Sequence, residues 1–274
     1  MDLNPSAATL LFSWRFDGLV WGAAALALAV YLWRFVAARR DAARRALWSP
    51  WRAASFVAGV LVALLALQSS ASSYTLNSMA LYMGRLMLLA ELAPPLIVLG
   101  LPSALIRLSA RGLAGRVLGF LLDPYVAFAL WTAIIVFWNL PAGLSASVVG
   151  ATSATLLPLL YLGGGLLVWA VTLNSLPGVR SLAVGTRGWF GFLNGLPMMG
   201  VAAVWLYSPK VLYSPFVNVP CLWNLTPLQN QQISGLVMMV AGVPALALAL
   251  VQMFVWLSRL AESSGVVVDE GEGV

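Results

Sequence analysis

The chain has 274 residues, of which 61% are hydrophobic and 9% charged, with a formal net charge of +6 and a mean hydropathy of +0.92. Soluble domains carry about 25% charged residues, so the composition argues for an integral membrane protein rather than a soluble enzyme or a nucleic-acid binder. There is no histidine and a single cysteine, Cys221, which removes imidazole chemistry, an internal disulfide and any multi-thiolate metal site.

At roughly 20 apolar residues per span, the length allows about six to eight spans, and the chain taken in order predicts one seven-helix membrane domain over residues 1–260, all α in class. Residues 1–15 form an amphipathic lead ending in Trp14 and Arg15, with no cleavable signal peptide expected. The first span is predicted from about Phe16 to Val36. Arg34, Arg39, Arg40, Arg44, Arg45 and Arg52 follow it, with Trp48 and Trp51 at the interface. The second runs from about Ala53 to Gln68 and ends in the serine run 69–73. The third, about Ser78 to Leu101, carries Arg85, Glu91 and the Pro94-Pro95 pair, which is expected to break the helix near its end. Arg107, Arg111 and Arg116 lie on a short connection, and the fourth span, about Pro124 to Trp138, starts with Asp123 as N-cap and ends in FWNLP. The fifth, about Thr155 to Leu173, contains Gly163, Gly164 and Gly165, small residues that let a neighbouring helix come close. The sixth spans about Trp189 to Tyr207. A loop rich in proline and aromatics covers 208–230, and the seventh span runs from about Gln232 to Leu257. An acidic tail, 261–274, is expected to be disordered and cytoplasmic.

Twelve basic residues fall on one set of alternate loops and two, Arg15 and Lys210, on the other. By the positive-inside rule the N-terminus is then outside and the C-terminus in the cytoplasm. In that orientation Tyr82, Arg85, Asn139, Asn230, Gln231 and Gln232 share the outer layer of the bundle. This predicts an intramembrane polar cluster able to contact a partner. Arg85 and Glu91 are about 240° apart around the helix and do not face each other. Arg85 either snorkels outward or finds a partner; Glu91, too deep to snorkel, either pairs with a partner, is neutral, or contacts another polypeptide, and is counted with the partner-contact residues.

Met79, Met83 and Met87 recur every fourth residue on one helix face. Thioethers suit Cu(I), and they also fill irregular gaps in apolar bundles. A tightly bound cofactor is not expected, and Cu(I) through these three is the one metal the residue types allow. Nothing resembling a nucleophile and its base is present, so no enzyme activity is expected.

Four stretches in order, APPLIVLGLP at 93–102, FWNLP at 137–141, VLYSPF at 211–216 and NQQISGLVMM at 230–239, resemble the seven-helix CtaG family of cytochrome c oxidase assembly factors. The resemblance implies a multi-pass protein of the bacterial inner membrane that helps mature a haem-copper oxidase. It covers about residues 15–258. The family's histidine pair ahead of the Ala-Pro-Pro run falls on Tyr82 and Leu86, its histidine before Leu-Pro on Asn139, and its further histidines near Thr155 and Pro158. Its acidic residue ahead of Gln-Gln falls on Asn230. The resemblance therefore implies the fold and an oxidase partner without an imidazole copper site. The alternative is a stable accessory subunit of a haem-copper oxidase or related respiratory membrane complex embedded in the same lipid bilayer. A transporter lacks support, since the chain shows no internal repeat.

Overall fold

The computed structural model describes residues 3–41, 45–102, 112–173 and 182–269. Arg44, Arg107, Arg111 and Arg180, which enter the loop charge tally, and residues 270–274 of the tail lie outside them.

Helix α1 (Ala7–Phe12) is a short lead, capped by the Ser6 hydroxyl, which accepts from the Thr9 amide. Helix α2 (Gly18–Arg39) starts at Asp17, whose carboxylate accepts from the amides of Leu19 and Val20. Helix α3 (Pro50–Gln68) starts at Ser49 with proline in its first turn, where the missing N–H costs nothing. Helix α4 covers Met79–Gly100. A mostly apolar connecting helix, α5 (Gly112–Leu121), leads into α6 (Pro124–Asn139), capped by Asp123, and α7 (Pro141–Val149) continues past it. The long helices α8 (Ala151–Leu173), α9 (Val184–Tyr207) and α10 (Pro227–Asp269) complete the bundle.

Six of these helices are each long and apolar enough to cross a membrane, and a seventh span results if α5 and α6, bent by 68°, count as one. Helix α6 alone has 16 residues, about 24 Å at 1.5 Å per residue, short of the roughly 30 Å apolar core of a bilayer. The architecture is an all-α multi-span membrane bundle. Helix α10 continues through the start of the segment expected to be a disordered tail, as far as Asp269.

The expected break at Pro94-Pro95 does not occur. Helix α4 runs through both prolines because the turn before them, Leu88–Leu92, widens to a π-helix, with the Ala93 amide reaching back to the Leu88 carbonyl. The prolines then enter a new α segment at its first turn, where they lack no bond. That bulge carries Glu91.

The helix pairs are held by glycine contacts. Along α9, Gly185, Gly188 and Gly191 face Trp256, Met253 and Ala249 of α10; a Cβ on them would sit 2.4, 2.6 and 3.3 Å from those side chains. Gly235 of α10 reciprocates, 2.7 Å from the Ala202 carbonyl on the same basis. Helices α3 and α4 pack equally closely, with Gly59 against Ile97 and Gly100 against Phe56. Their crossing is reinforced by the Ser55 hydroxyl, which donates to the Leu96 carbonyl at 2.7 Å.

Candidate functional site

One end of the bundle gathers most of the buried polar side chains. At the start of α4, Ser78 caps the helix by accepting from the Leu81 amide. One turn on, the Tyr82 hydroxyl lies 2.6 Å from the Ser147 oxygen of α7. Ser147 gives its own proton to the Leu144 carbonyl at 2.8 Å, so Tyr82 is the donor. Beside this pair, the amide nitrogen of Asn139, at the end of α6, donates to the Ile135 carbonyl at 2.7 Å and to the Tyr161 hydroxyl of α8 at 3.0 Å. The Asn139 carbonyl accepts from the Tyr213 hydroxyl at 2.7 Å, and Tyr213 in turn accepts from the Trp205 indole of α9. Gln231 at the head of α10 extends the chain of bonds: its amide nitrogen donates to the carbonyls of Trp205 and Lys210, and its oxygen accepts from the Leu212 amide at 2.8 Å. Asn230 ties the same turn to α4 by accepting from the Ala80 amide, and to the loop through a 3.5 Å contact with the Cys221 sulfur. Gln232 is half-buried next to them.

The loop 208–226 closes this end. The Leu222 amide donates to the Asn77 carbonyl and the Trp223 amide to the Leu3 carbonyl. Trp223 and Asn224 both take positive φ of 55°, the left-handed region that most side chains disfavour, and the amide bond to Leu3 anchors the first of them. Burial pushes the Tyr213 hydroxyl up to about 12, against a smaller opposing effect of its bond to Trp205. It also raises the Cys221 thiol, offset in part by Asn230.

Arg85 does not snorkel. Its Nε donates to the Ala66 carbonyl at 2.7 Å. Ala66 is one of the last four residues of α3, whose carbonyls have no partner within the helix. All four are answered: Leu65 by the Ser69 cap amide in the last i→i−4 bond, and the other three from outside the regular ladder, Ala66 by Arg85, Leu67 by the Gln68 amide group, and Gln68 by the Arg15 amide. The guanidinium also places positive charge at the negative end of the α3 dipole. The far end of α4 repeats the device. Arg52 donates to the Leu99 and Leu101 carbonyls, and the Tyr31 hydroxyl to Gly100 at 2.8 Å.

Glu91 stands apart from this layer, deeper along α4. The Trp169 indole of α8 faces it, and its Oε2 is buried with no hydrogen-bond partner. It forms the wall between two cavities. The larger, about 760 Å³, is an apolar groove between α1, α3, α4 and α10 that also reaches Arg85 and Met87. The smaller, about 210 Å³, lies among α4, α6, α8, α9 and α10 and is bordered by Trp131, Trp169, Thr172, Asn194 and Met198.

Met79, Met83 and Met87 are all fully buried, packed with Leu86, Leu89, Met198 and Met238 in the central apolar cluster. Met79 and Met83 line neither cavity. In the glycine triplet, Gly163 meets nothing within 4 Å, Gly164 faces Trp131 of α6, and Gly165 faces Ala90 and Pro94 of α4. Sequence reasoning singled out that triplet and passed over the α9 glycines at 185, 188 and 191, although their three-residue spacing is visible in the sequence. It also passed over Asn194 and Trp169, polar or amphipathic residues that single spans contain without marking.

The family model described as cytochrome c oxidase caa3 assembly factor (Caa3_CtaG) matches residues 29–260. No curated protein and no solved structure matches the chain.

Proposed function

The chain belongs to the cytochrome c oxidase caa3 assembly factor family, and from that premise we propose that it assists maturation of a haem-copper oxidase by docking onto the oxidase's membrane subunits, without itself catalysing a reaction. The observation that carries this reading is the extent of the match, which runs from the middle of α2 to residue 260 in α10 and so takes in most of the bundle. The protein works in the bacterial inner membrane, with the basic loops in the cytoplasm and the polar end of the bundle facing outward, as the asymmetry of arginine placement favours.

The residues present do not suit a resident copper ion. The chain contains no histidine. At positions where the family resemblance sets histidines, the Tyr82 hydroxyl bonds Ser147 and the Asn139 amide nitrogen bonds Ile135 and Tyr161; Asn139 Oδ1 is left without a partner, but an amide oxygen is a hard ligand that suits copper(I) poorly. Leu86 lies in the apolar core, and the Thr155 hydroxyl donates to the Ala151 carbonyl of its own helix. The thioethers of Met79 and Met83 are sealed in the core away from either cavity. A ligand set must be reachable by the ion it takes, so metal delivery by this chain is not part of the proposal.

Affinity purification of the tagged chain from its native membrane tests the docking role. The expected result is recovery of unassembled oxidase subunits in amounts well below one per chain, and their absence when the outer loop 208–226 is replaced by a flexible linker. Stoichiometric recovery of the mature, haem-loaded complex would instead identify an accessory subunit.

A further inference from the structure

The 210 Å³ cavity beneath the π-helical turn of α4 has an unbalanced set of polar groups. Each of its donor side chains already has an acceptor. The Trp131 indole donates to the Asn194 carbonyl at 3.3 Å, the Thr172 hydroxyl to the Val168 carbonyl at 2.9 Å, and the Asn194 amide nitrogen to the Phe190 carbonyl at 2.7 Å. The Trp169 indole is turned to Glu91. Two acceptors bordering the same cavity are left over: Glu91 Oε2 and Asn194 Oδ1, both buried and both without a hydrogen-bond partner. Asn194 is 3% exposed, and an unmatched acceptor at that depth is costly. A guest that completes this site must donate hydrogen bonds.

Charge and shape narrow the guest further. Glu91 is the cavity's one carboxylate, and the nearest cation along its helix, Arg85, is engaged with the end of α3. The remaining walls are Trp131, Trp169, Phe192, Met198 and Leu246. Aromatic faces attract a cation, and apolar walls favour one that carries an alkyl body. A bare alkali ion needs more oxygen ligands than this lining offers, as hard cations generally do. Gly195 borders the cavity with nothing within 4 Å of its Cβ position, so the space is not filled by the protein itself.

We propose that this cavity is a binding site for a small primary alkylammonium ion, its N–H groups shared between Glu91 and Asn194 and its alkyl chain against the two tryptophans. The site is separate from the docking role, and neither stands or falls with the other.

The test uses the detergent-purified full chain and n-butylammonium chloride, with potassium chloride and butan-1-ol at equal concentration as controls. The thermal unfolding midpoint should rise saturably with n-butylammonium, by about 3 °C at ten times its dissociation constant. It should not move with either control. Glu91→Gln should abolish the shift. Should that variant fail to fold, Gly195→Leu, whose added Cβ meets nothing within 4 Å, should abolish it in a folded protein. An equal shift with potassium chloride would mean ionic strength or alkali-ion binding, and an equal shift with butan-1-ol would mean simple apolar partitioning. Either overturns the proposal, as would the absence of a shift in the wild type or a full shift in folded Gly195→Leu.

Discussion

Gly163 and Gly165 sit two residues apart on α8 and should respond oppositely to the same substitution. A Cβ added at Gly165 would lie 2.5 Å from the Ala90 oxygen, 2.9 Å from the Ala90 Cα and 2.8 Å from Pro94 Cγ. Two of those atoms are the backbone of Ala90, in the π-helical turn, so no rotamer change relieves the clash. An ordinary carbon–oxygen contact is about 3.3 Å, which means α8 must retreat from α4 by roughly 0.8 Å. Overpacking of this kind costs about 1–3 kcal/mol, and backbone against backbone sets it at the upper end. The gain of about 1 kcal/mol in helix propensity for Gly→Ala offsets part, leaving a loss of about 2 kcal/mol for Gly165→Ala. At about 2–4 °C per kcal/mol the midpoint falls by about 4–8 °C. Gly163→Ala meets nothing within 4 Å and keeps only the propensity term, so it should be neutral or slightly stabilising. The assay is heating of detergent-solubilised protein followed by size-exclusion recovery of the folded monomer. Equal midpoints for the two variants would refute the assignment of Gly165, and not Gly163, to the α4–α8 contact.

Three further outcomes follow from the polar groups. Arg85→Leu should destabilise by about 1–3 kcal/mol, the cost of an orphaned buried carbonyl at Ala66, whereas Arg85→Lys should recover part of it; thermal midpoints of the two variants decide. Asn139→Leu should exceed Tyr82→Phe in cost, because it strands Tyr161 while the Tyr82 change leaves Ser147 bonded to Leu144; Tyr82→Phe should cost about 1 kcal/mol in the same assay. Tyr213 is raised in the folded protein above its ordinary value of 10.0, to about 12, so its contribution is fully present below pH 10 and is lost as pH rises towards 12. An alkaline titration of stability should therefore fall more steeply in the wild type than in Tyr213→Phe over that window, and parallel curves would count against it.

The spans were legible because about 20 apolar residues between polar stretches leave few alternatives, and their predicted limits fall within a few residues of α2, α3, α4, α8 and α9. The grouping of Tyr82, Asn139, Asn230 and Gln231 at one end followed from alternating helix direction alone. What the sequence concealed depended on neighbours. Arg85 reads as a charge in an apolar helix until α3 is seen to end beside it with an open carbonyl. Pro94-Pro95 reads as a break, since the π-turn that absorbs both prolines is set by packing rather than by composition. The cavity at Glu91 and Asn194 joins residues more than a hundred positions apart, and no single-helix pattern announces it.

The central claim, a role in oxidase maturation, is tested most directly by deleting the chain from its native host and recording the reduced-minus-oxidised haem spectrum of the membranes together with oxidase subunit levels. The account predicts loss of the mature oxidase signal while the messenger RNA for its subunits is unchanged, restored by the wild-type chain and equally by Met79→Leu plus Met83→Leu. An unchanged spectrum with full oxidase activity in the deletion strain would contradict it.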